Sequence, residues 1–102
     1  MTSRQSVPDH LLSTYAMIRA AFPDPTRLRG MHYHALIQIL MEHMSHRNIV
    51  DVMRLIVDTH AFVSLNDVYA TSQMTIPDAV CTEVMDALSL HGYDAWAAED
   101  ET

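Results

Sequence analysis

Seven histidines and no lysine among 102 residues make imidazole the chain's chief nitrogen ligand and proton carrier. Four of them fall in two groups that could do chemistry. His32 and His34 flank Tyr33, while Glu42, His43 and His46 cluster a few turns further along. His43 and His46, three residues apart, could share a helical face and offer neutral imidazoles to zinc or nickel. On one continuous helix the two groups would stand roughly 15 to 18 Å apart at a rise of about 1.5 Å per residue, so a single ion could use only one of them. The H-E-x-x-H order that makes a zinc helix recognisable is absent. The metal candidates are therefore His43 and His46 alone, solvated polar positions are the favoured explanation of them, and no metal or cofactor is expected.

Other reactive groups are sparse. Cys81 is the single cysteine, so no internal disulfide and no cysteine-rich metal cage can form. The histidine on its side of a predicted helix, His91, lies ten residues and about 15 Å along the axis, too far to activate a thiolate. The spacing predicts a buried structural thiol. With only Gly30 and Gly92 available, the chain writes no P-loop, no dinucleotide turn and no nucleophile elbow. Without lysine there is no Schiff-base chemistry. The expected protein is not an enzyme.

Binding surfaces are the remaining candidates. After Gly92 come Tyr93, Ala95, Trp96 and Ala97, then Glu99, Asp100 and Glu101. Two aromatics three apart, set in acids, suit a helical turn that docks in an apolar groove with a basic rim; Tyr93 and Trp96 are the partner-binding candidates. The alternative is that Trp96 folds back over its own bundle as a lid. A helix-turn-helix reading would use residues 49–59 and 65–73, offering Asn66, Thr71, Ser72 and Gln73 to base edges. That second helix, however, carries Asp67 and no arginine, while Arg19, Arg27 and Arg29 lie elsewhere. Of the eight methionines, Met41, Met44 and Met53 fall on apolar stripes as core filler, and Met17, Met31, Met74 and Met85 are expected at the surface.

These groups need helices to position them. Pro8-Asp9 opens a helix carrying Leu11, Leu12, Tyr15, Ile18 and Phe22, which Pro23 and Pro25 must end. Residues 23–30 read as a loop. Tyr33, Leu36, Ile37, Leu40, Met41 and Met44 repeat at three and four, which predicts the best-formed helix of the chain. Ser45 is an expected N-cap for a further helix with Ile49, Val52, Met53, Ile56 and Val57 on one face. Ser64-Leu65-Asn66-Asp67 resembles a capping box for a short helix that fades by Gln73. Ile76-Pro77-Asp78 opens the last helix, with Val80, Cys81, Val84, Leu88 and His91 on a shared face and Gly92 at its left-handed end. No period-two alternation suggests a strand. The expected fold is all-α, a single compact bundle of about five helices, the second, third and fifth central. Residues 9–93 form its core and 94–102 an acidic tail.

The order Phe22-Pro23, a loop, a tyrosine-led helix (Tyr33, Leu36, Ile37, Ile39, Leu40), Met44-Ser45, Asp67-Val68, Pro77-Asp78 and a closing Gly92-Tyr93 resembles the small actinobacterial proteins of domain-of-unknown-function family three-three-four-nine. The resemblance covers residues 11 to 94. It implies an all-helical bundle and, since such proteins have no established activity, carries over no functional residue. The chain departs from the family pattern at Ala35, where a proline is usual nearby, and at His46-Arg47-Asn48, where an acidic first turn is usual.

Charge narrows the partners. Residues 1–50 hold five arginines against three acids, a balance of +2, whereas residues 51–102 hold one arginine against ten, a balance of −9. An acidic surface of this size disfavours duplex DNA, whose phosphates demand clustered bases. Gly30 to Met41, the longest uncharged stretch, is too short and polar to span a bilayer, and residues 1–6 lack a signal-peptide core, so a cytoplasmic protein without membrane association is expected. The function these features favour is a non-catalytic protein–protein interaction module, as a monomer or weak homodimer. A helix-turn-helix regulator and a metal or small-ligand binder are the alternatives.

Overall fold

The structure is a computed structural model that describes residues 7–24, 28, 30–57 and 65–100, the side chains of 57, 99 and 100 excepted. Arg27, Arg29, Ser64 and Glu101, on which the expected basic cluster, capping box and acidic end partly rest, lie outside the described residues. The fold is all-α, with six helices among the described residues. Helix α1 spans Asp9–Ala21, entered from an extended Pro8 and left at Phe22, whose φ of −131° and ψ of 74° already obey the proline that follows. Helix α2, Met31–Leu40, starts two residues before the expected Tyr33, because Gly30 at φ +61° makes the left-handed entry that other residues resist. Ser45 caps α3, His46–Val57: its Oγ accepts from the Asn48 amide at 3.2 Å. Helix α4 is Leu65–Ser72 and α5 is Asp78–Leu90, the latter entered through extended Pro77 with Asp78 in its first turn.

The sixth helix, α6, runs Tyr93–Asp100, where the sequence suggested an acidic tail. Gly92 at φ +97° ends α5, and its carbonyl accepts from the Trp96 amide at 3.0 Å, so the glycine that stops one helix starts the next. The described residues therefore form six helices where about five were expected, and the core extends past residue 93. Periodicity could not show α6, since its apolar residues other than Tyr93 and Trp96 are alanines.

Helix α2 packs mainly on α5, while α1 lies against α3, α5 and α6, and α4 bridges α2 and α3. Leu36, Ile37 and Leu40 of α2, Ile49, Val52 and Met53 of α3, and Val84 and Leu88 of α5 are fully buried in one apolar core, which α3 enters against α1 and α4. Helix α1 joins that centre through Leu11 and Ile18, more deeply than expected. Its inward stripe is also rotated. Leu12 is 51% exposed, whereas Thr14 and Met17, the latter expected at the surface, are buried at 3% and 5%. The rotation puts a hydroxyl where an aliphatic residue was expected, and Trp96 supplies the reason. Among the described residues, no helix is long and apolar enough to cross a membrane.

Candidate functional site

Three of the four residues singled out for binding meet at one place. His43 Nε2 and the Tyr93 hydroxyl share a hydrogen bond at 3.0 Å, and the His43 ring stands edge-on to Trp96 at a centroid separation of 4.9 Å. Tyr93 and Trp96 are themselves 5.8 Å apart, one turn along α6. Trp96 is 6% exposed, and its Nε1–H donates to Thr14 Oγ1 on α1 at 2.7 Å. Of the two roles the sequence left open for this tryptophan, the structure displays the fold-back onto its own bundle. Burying an indole requires a partner for its N–H, which is why α1 turns Thr14 inward.

His46 does not join the cluster. Helix α2 ends at Leu40, and the 3₁₀-type bonds Glu42 N–H to Ile39 O and His43 N–H to Leu40 O wind the chain into a turn. His43 sits in that turn and exposed His46 opens α3, so the shared helical face expected for a metal pair is not formed. Among the described residues, no group of three or more histidine, cysteine or carboxylate side chains could hold an ion.

Beside the cluster lies a polar cleft of about 250 Å³. Helix α1 contributes His10, Ser13 and Thr14; the start of α3 contributes Ser45 and Asn48; Trp96 and His43 close it. Among the described residues no carboxylate lines it, although the chain carries thirteen. Neither His10 nor Ser13 was legible as a site residue, because their neighbours in the cleft come from other helices.

The second histidine group is structural. Thr71 is fully buried and its O–H donates to the Asp67 carbonyl at 2.9 Å, so His34 Nδ1 must donate to Thr71 Oγ1, also at 2.9 Å. Gln38 Nε2 donates to the carbonyls of Thr71 and Met74, both at 2.8 Å, closing the C-terminal end of α4 onto α2. His32 Nε2 meets Glu83 Oε1 at 2.6 Å, an exposed pair of small energetic weight. The helix-turn-helix reading loses Thr71 here, since a fully buried side chain cannot reach a base edge. Cys81, expected to be buried, is only half-buried, beside a shallow apolar groove with Ile39 and Met85.

Two tyrosines report on these contacts. Burial, then the charge of Asp67, raises the Tyr33 pKa above the usual 10.0. Burial, then Glu42 and Asp94, raises that of Tyr93. Each phenol is held neutral more firmly in the folded than in the unfolded chain. Their stabilising contribution is therefore complete below pH 10 and is lost as pH rises through the folded values. Alkaline spectrophotometric titration should show two tyrosines ionising late, and Tyr33→Phe should flatten the loss of stability above pH 10. Unaltered alkaline sensitivity in that variant would count against the assignment.

The most exposed apolar side chains of the bundle include a pair on α4. Leu65 is 48% and Tyr69 61% exposed, one turn apart, while Val68 and Thr71 of the same helix face inward. No family model, no curated protein and no solved structure matches the chain.

Proposed function

We propose that this protein is a non-catalytic cytoplasmic interaction module that presents α4 to a protein partner. The observation that carries the reading is the exposed Leu65–Tyr69 pair on a helix clamped from behind by His34 and Gln38. Side chains at i and i+4 on a fixed helix are the anchors used in helix-in-groove recognition, and tyrosine is among the residues most enriched at binding hot spots. Rigidity matters because a helix already ordered loses little entropy on docking. Charge selects the occupant: Asp67 is the only charged residue of α4, and residues 51–102 carry ten acids to one arginine. An apolar groove with a basic rim is the complementary surface.

The double variant Leu65→Ser/Tyr69→Ala tests this. It should melt as the wild type does, since both residues lie outside the core, yet lose a partner captured from native extract. Reconstituted with that purified partner, the variant should bind about 30-fold or more weakly, the loss expected of one hot spot. Wild-type binding should also weaken with salt. Equal binding by the variant, or a fall in its melting temperature matching a core substitution, would overturn the reading.

A further inference from the structure

We propose that the cleft between α1, the α3 N-terminal turn and Trp96 binds a small phosphate-bearing ligand. Its chemistry is one-sided. Thr14 is 3% exposed and its Oγ1 accepts the Trp96 N–H, while its own O–H forms no hydrogen bond to a protein group among the described residues. Ser45 Oγ is likewise engaged as an acceptor, by the Asn48 backbone N–H, which leaves its own O–H to donate. Two hydroxyls on different elements are thus biased towards donation into one space. The Ser13 hydroxyl, the side-chain amide of Asn48 and the His10 ring add further donors, and neither His10 nor Ser13 bonds a protein group among the described residues.

A concavity lined by donors and, among the described residues, by no carboxylate selects an acceptor-rich guest. In a chain of net charge −7 this is a local inversion of character. A phosphate group fits better than a carboxylate because its tetrahedral oxygens can meet donors from both α1 and α3, whereas a planar pair of oxygens serves one wall. At about 250 Å³ the cleft is smaller than the roughly 300 to 1,000 Å³ that holds drug-sized molecules. It suits inorganic phosphate or a short phosphate monoester, and not a nucleotide.

Trp96 is the chain's only tryptophan and lines the cleft, so the protein carries its own reporter. The fluorescence of the full chain is titrated with inorganic phosphate, with glycerol phosphate and with acetate, each against potassium chloride at equal ionic strength. A saturable change with inorganic phosphate supports the site with the free ion as guest. A saturable change with glycerol phosphate alone supports it with an ester as guest. His10→Ala/Ser13→Ala, which alters exposed residues only, should keep the wild-type melting temperature and bind about tenfold or more weakly, the loss expected of charge-assisted hydrogen bonds. His32→Ala, at the other end of α2, should bind normally. Inorganic phosphate and glycerol phosphate curves that both match chloride overturn the proposal, as does acetate binding equal to that of the phosphate guest, or undiminished binding by the double variant. None of these outcomes depends on the α4 surface.

Discussion

Trp96→Ala should cost the free domain about 3 to 5 kcal/mol, a large share of the roughly 5 to 15 kcal/mol that holds a domain folded. The indole is 6% exposed, packs edge-on against His43, and is the main apolar anchor of α6 on α1. Its removal opens a cavity and orphans nothing polar but Thr14. Trp96→Phe restores much of the volume without the N–H and should cost less. Thr14→Val does the reverse, leaving the indole N–H buried without its acceptor, at a cost of about 1 to 3 kcal/mol. Denaturant unfolding of the two variants and their combination forms a double-mutant cycle, in which a coupling of about 0.5 kcal/mol or more identifies the Trp96–Thr14 bond. Deleting residues 94–102 should destabilise the chain comparably to Trp96→Ala. If both retain wild-type stability, α6 contributes nothing to the fold.

Leu40→Ala is the second large effect, at about 2 to 5 kcal/mol. Leu40 is fully buried at the C-terminal end of α2, where its carbonyl also accepts the amides of His43 and Met44. The turn that carries His43 to Tyr93 is therefore anchored by the same residue that fills the core. Beyond the drop in melting temperature, the variant should loosen this turn and shift Trp96 fluorescence towards that of exposed indole before global unfolding. A melting curve superimposable on the wild type would show that α2 is not central.

Exposed Leu65 and Tyr69 and the donor-lined cleft occupy different elements, so binding at one need not compete with binding at the other. The interaction surface is on α4, held by α2 through Gln38 and His34. The cleft is built from α1, the start of α3 and α6. Helix α3 touches both, through its packing on α4 and its first turn in the cleft.

Helix boundaries were legible in the sequence wherever one residue's covalent geometry decides them. Pro8 and Pro23 bracket α1, Ser45 opens α3, Pro77 precedes α5 and Gly92 closes it, each acting on its own dihedral angles or on an amide within a few residues. The stripes of α2 and α3 were legible for a related reason. Leu36, Ile37, Leu40, Ile49, Val52, Met53 and Ile56 sit on wide apolar faces that leave little choice of what to bury. Tertiary structure alone decided the rest. Thr14 turns inward because a tryptophan 82 residues away needs an acceptor, and no local pattern encodes that demand. The same pairing makes α6 a helix of the core instead of a tail, rotates the buried stripe of α1 away from Leu12, and creates the wall against which His10, Ser13 and Ser45 form a cleft. His43 and His46 show the complementary case. Their spacing reads as one helical face only while the helix continues, and the Ser45 cap, itself visible in the sequence, is what ends that continuity. Local signals act through bonds and adjacent amides, so one chain displays them; a site assembled from three helices depends on which faces the whole core leaves uncovered.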